Sequence, residues 1–117
     1  MRVVGALRRM REIAEQMAPA LERGDLDAIG AMLDEHWAHQ RSLNPSIPTP
    51  RIDEIIARSR RAGALGAKAM GASGGGCVLV MARAGHADEV RDAIRPLGEL
   101  LDFEIDEVGV TIESVRR

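Results

Sequence analysis

RAGALGAKAMGASGGGCVLVM, residues 61–81, is the stretch on which the fold turns. Upstream of it the apolar residues recur at helical spacing, and at this point the period changes. AKAM (67–70) and CVLVMA (77–82) are short apolar runs of strand length. Between them, Gly71 to Gly76 contains nothing larger than serine. Short apolar runs on either side of a glycine cluster predict two strands joined by a loop. A run this bare has a high ordering cost, because glycine has the most backbone freedom to lose. Two readings stay open from the residues alone. The run is a loose hairpin loop, or its backbone N–H groups face a phosphate or another backbone at close range. It is not a Walker A loop, since Lys68 lies between two alanines rather than after a glycine. A dinucleotide fingerprint is also excluded, because it requires a helix to open on the glycines, and here a strand follows.

Working outward, residues 3–22 read as a helix with Val3, Leu7, Met10, Ile13, Ala14, Met17 and Leu21 at three- and four-residue steps. Pro19 lies late in that pattern. Gly24 stops the helix and Asp25 caps the next, which runs from about Leu26 to Leu43. So short a joint predicts an antiparallel helical hairpin. NPSIPTP (44–50) is a loop, with Thr49-Pro50 as cap and first position of a third helix reaching Gly63. A fourth helix is expected over 86–98, with Val90, Ile94 and Leu97 inward. Two half-buried strands then follow, around Phe103–Ile105 and Val110–Ile112, joined through Gly109. The sum is an α+β domain: a ferredoxin-like two-layer sandwich, its antiparallel sheet covered by helices and preceded by the helical hairpin.

The 117 residues suit one domain. With 45% hydrophobic and 29% charged residues the chain reads as globular. Trp37 and Phe103 are the only aromatics, too few for a stacking platform on single-stranded nucleic acid. A net charge of −2 calls for no acidic partner, and RSRR (58–61) reads as a solvated helix face. The lone Cys77 excludes an internal disulfide and reads as a small buried hydrophobe. No segment suits a signal peptide or a membrane span, so a cytoplasmic protein is expected, without membrane or nucleic-acid partners.

Few residues offer chemistry. In DEHWAHQ (34–40), His36 and His39 share a helical face beside Asp34, Glu35 and Gln40. The three-residue spacing differs from the four-residue zinc-protease pair, and no third ligand is indicated, so no metal site is assigned. Ser73 in GASGG lacks the strand–turn–helix setting of a nucleophile elbow, and no catalytic residue is assigned. Lys68 is either an edge-strand charge or a phosphate- or carboxylate-facing group beside the loop.

RAGALGAKAMGASGGGCVLVM (61–81) resembles the third motif of the GHMP small-molecule kinases. The resemblance extends through LDEHWAHQRSL (33–43) and SIPTPRIDEIIARSRRAGA (46–64), and covers the chain from about Ala6 to about Val110. It is nearest the sugar-kinase branch, that of heptose 7-phosphate kinase and galactokinase. The resemblance implies an ATP- and Mg2+-dependent kinase acting on a small sugar or sugar phosphate. It also implies that these residues are its C-terminal domain. The ATP and metal would be bound mainly by an N-terminal half carrying a PxxxGLxSS-type phosphate loop, which is not found here. This domain alone would then be inactive. Carried over, the ATP/substrate loop comprises Lys68, Gly71, Ala72, Ser73, Gly74, Gly75 and Gly76. His36, Gln40 and Arg41 would face the substrate. One departure stands out: Ser73 replaces the second glycine of the family's GAG-x-GG pattern. At a position needing φ > 0 that change costs about 1 kcal/mol. The alternative expectation is a stand-alone ferredoxin-like module that binds a small molecule or forms a homodimer, without kinase activity.

Overall fold

The computed structural model describes residues 2–71 and 76–115. Its elements, in chain order, are α1 (Arg2–Arg23), α2 (Leu26–Ser42), α3 (Pro50–Arg61), β1 (Ala64–Met70), β2 (Cys77–Ala82) and α4 (Ala87–Ile94). A 3₁₀ turn, Arg95–Leu97, follows. The chain is an α+β domain, as its periodicity predicts.

Local chemistry sets the helix ends. Gly24 adopts φ 64°, the left-handed conformation that closes a helix without a Cβ penalty. Asp25 then accepts the Ala28 N–H at 3.1 Å and opens α2. Thr49 does the same for Ile52 at 3.2 Å, with Pro50 in the first turn of α3. Pro19 lies within α1, which continues to Arg23. Helix α4 is shorter than the expected 86–98, because Pro96 cannot donate to the α-helical ladder and the chain tightens into the 3₁₀ turn.

Packing then arranges these pieces. Helices α1 and α2 form the expected hairpin, with Ala20, Ile29 and Leu33 buried between them. Strands β1 and β2 pair antiparallel, Lys68 opposite Leu79 and Ala69 opposite Val78. Leu79 and Met81 pack against the α1–α2 hairpin. Ala69 and Val78 pack with Ile52 and Ile56 of α3 on the other side. Helix α2 serves both clusters, giving Leu33 to the first and Trp37 to the second. It therefore runs along the edge of β1. There Asp34 accepts the Ala67 N–H at 3.0 Å, a main-chain donor that no strand pairs. Gly30 and Gly66 permit this approach: a Cβ on Gly66 would overlap the carbonyl oxygen of Gly30.

Two expectations are corrected. The segments around Phe103–Ile105 and Val110–Ile112 form no strand, and residues 98–115 carry no regular structure beyond the 3₁₀ turn. Ile105 and Val110 are 82% and 94% exposed. Alternation decides which side chains share a face, but it supplies no partner for the backbone N–H and C=O groups. The sheet accordingly has two strands among the described residues. Cys77, expected to be buried, is exposed. It opens β2 beside the glycine run, opposite the exposed Met70, where no helix covers it.

Candidate functional site

The loop between β1 and β2 enters and leaves through glycines in the left-handed region, Gly71 at φ 80° and Gly76 at φ 85°. A side chain at either position would strain the backbone, so these two glycines have a conformational reason. Ala72, Ser73, Gly74 and Gly75 lie outside the described residues, and with them the question of the Ser73 conformation. Gly71 is tethered from below: the Gln40 side-chain amide donates to its carbonyl oxygen at 3.2 Å. Gln40 is buried. Its place is beneath the loop's entry, as an anchor joining α2 to the end of β1.

Lys68 and His36 come together. Both line a cleft of about 280 Å³ with Met17, Leu33, Met70 and Leu79. Lys68 comes from β1 and His36 from α2, and the cleft lies just before the glycine run. Burial among these apolar walls pushes the Lys68 ammonium below the usual lysine range. His36 is pushed down by burial first, then by the charges of Lys68 and His39. The Nδ1 atom of His36 is buried and has no hydrogen-bond partner.

The other polar residues of α2 face elsewhere. His39 is 3.3 Å from Glu35, which also takes two hydrogen bonds from the Arg9 guanidinium of α1. That guanidinium is the main reason the Glu35 carboxyl lies below the usual carboxylate range. His36 and His39, sharing a face in sequence, therefore serve different surroundings. Among the described residues no cluster of three or more His, Cys, Asp or Glu is placed to hold a metal ion. Arg41 lies over the Trp37 ring, 5.8 Å from its centroid, and pairs with Asp53 of α3 at 3.2 Å. The structure does not bring Arg41 to the Lys68 cleft. In RSRR, Arg58 pairs with Glu54 and Arg60 with Asp34. No helix among the described residues is long and apolar enough to cross a membrane.

Two features escaped sequence reasoning. Gly30 and Gly66 each interrupt an apolar pattern, and a lone glycine inside a helix or strand is the signal for a close backbone approach. Asp34 carried no comparable signal, because its role depends on where β1 comes to lie.

Fold and site together define a helix-covered α+β domain with a cationic, largely apolar cleft beside the end of β1, where the glycine run begins. Residues 17–99 match the family described as GHMP kinases C terminal, and the chain belongs to that family. It is 30% identical over 103 residues to mevalonate kinase of Aeropyrum pernix, covering 87% of this chain and 31% of that protein. Galactokinase of Streptomyces coelicolor is 36% identical over 83 residues, 71% of this chain and 21% of that protein. Among solved structures, L. major mevalonate kinase in complex with R-mevalonate superposes with a TM-score of 0.64 at 25% identity. That match covers 77% of this chain and 28% of the kinase. The chain thus spans about a third or less of the length of these relatives.

Proposed function

We propose that this chain is the C-terminal domain of an ATP-dependent kinase for a small sugar or sugar phosphate, and that its glycine run closes one side of the active-site cleft. The observation that carries this reading is the join between the loop and the helical hairpin: Gln40 holds the Gly71 carbonyl while Lys68 and His36 line the adjoining cleft. ATP supplies the phosphoryl group when bound. What this chain offers it is main chain that can approach closely on either side of Gly71 and Gly76, together with the positive charge of Lys68. Mg2+ and most of the nucleotide are assigned in this reading to an N-terminal half, as the family resemblance implies.

Phosphoryl transfer depends on positioning and charge stabilisation around the moving group. A domain without the phosphate loop is therefore expected to be inert alone and to act with its complementing half. ADP release should be measured over a panel of sugars and sugar phosphates. One set of assays uses this chain alone, the other adds a polypeptide carrying a PxxxGLxSS half from the same genome. Turnover only in the mixture supports the reading. Turnover by this chain alone refutes the division of labour. Tight sugar binding with no turnover in any mixture favours a binding module without kinase activity.

A further inference from the structure

We infer that the Lys68–His36 cleft is a subsite for the anionic group of a small ligand, a phosphate monoester or a carboxylate, with Leu33, Met70 and Leu79 receiving its carbon skeleton. The inference rests on the kinase reading only in identifying that ligand as the phosphoryl acceptor.

Lys68 projects from β1 into a cleft whose other lining is apolar apart from His36, and it makes no ion pair among the described residues. The nearest carboxylates in sequence on α2 are committed elsewhere. Asp34 holds the Ala67 N–H and Arg60, while Glu35 holds Arg9 and His39. An ammonium partly withdrawn from water without a counter-charge carries a desolvation cost, and a bound anion offsets it. His36 adds a second polar group to the same lining, with a buried Nδ1 that has no hydrogen-bond partner to give up.

Shape and selectivity follow. At about 280 Å³ the cleft is near the small end of ligand sites and suits a compact metabolite. A neutral polyol would lose its water against Leu33, Met70 and Leu79 and regain few hydrogen bonds. An anion gains the charge-assisted contact to Lys68. The groups acting on His36 are Lys68 from β1 and His39 from its own helix, the latter tied to Glu35 and, through it, to Arg9 of α1. Burial first, then Lys68 and His39, hold His36 below the usual imidazole range, which favours its neutral form at pH 7. Protonation below that pH adds a second positive charge, so anion affinity should rise as pH falls from 7 through the lowered His36 range.

The test uses the whole chain and three probes: glycerol 3-phosphate, 3-hydroxybutyrate and glycerol. NMR of the histidine side chains follows binding at His36. One or both anions should shift the His36 signals saturably and raise its pKa, and whichever does so identifies the phosphate or the carboxylate as the preferred group. Glycerol should do neither. Lys68→Met should weaken anion binding about tenfold or more with a thermal midpoint no lower than that of the parent chain, and Lys68→Arg should restore most of the binding. Equal binding of glycerol, anion binding indifferent to Lys68→Met, or no saturable shift with either anion overturns the inference. Failure here leaves the complementation assay standing. Failure of complementation leaves the subsite standing.

Discussion

Strand β1 and the segment from Phe103 to Ile112 look alike as sequence and end differently. Both place small or branched apolar residues in short runs beside glycine. Yet Ala67 and Ala69 are 1% and 0% exposed, while Phe103 and Ile112 are 73% and 91% exposed. The apolar residues of the second segment are more thinly spread but larger. What β1 has in addition is company: β2 along one edge, Asp34 at Ala67 on the other, and helices against its side chains. A strand is stabilised by pairing its main chain and covering its faces, and pattern alone does neither.

The comparison breaks most readily at Gly66. Gly66→Val should collide with the Gly30 carbonyl and separate α2 from β1. We expect a loss of about 3 kcal/mol or more, or failure to fold, read from urea denaturation. Asp34→Ala tests the edge contact alone. It strips the acceptor from Ala67 N–H and the partner from Arg60, and should cost about 1–3 kcal/mol by the same measurement. Asp34→Asn, which keeps one acceptor oxygen, should recover much of that loss. Ile105→Pro is the counterpart in the exposed segment. There it should leave stability within about 0.5 kcal/mol of the parent chain, since no described main-chain pairing is lost. A large loss from that change would show that the segment is paired after all.

Much of the local structure was legible, and the reasons are local. Asp25, Thr49-Pro50 and Gly24 carried their roles openly, because a cap or a left-handed stop depends on neighbours within a few residues. The glycine run and Lys68 were visible for the same reason. Gln40 was expected at the substrate and is found buried, holding Gly71. Arg41, expected to face the substrate as well, lies between Trp37 and Asp53. One turn of helix separates His36 from these residues, and over that turn the neighbours change from the Lys68 cleft to the end of β1 and to Asp53 of α3. Helical phase was readable, but the objects waiting at each phase were not.

By itself, then, the sequence determined the helices, their caps, the hairpin of α1 and α2, the two strands and the bare loop between them. Each follows from propensity and periodicity over short distances. Tertiary structure alone decided that α2 lies along the edge of β1, that Gly30 meets Gly66, and that Lys68 shares a cleft with His36. It also left the alternating residues after Gly98 unpaired. Those outcomes depend on contacts between residues some thirty positions apart, whose free energy comes from desolvation and fit. Neither can be read from either partner alone.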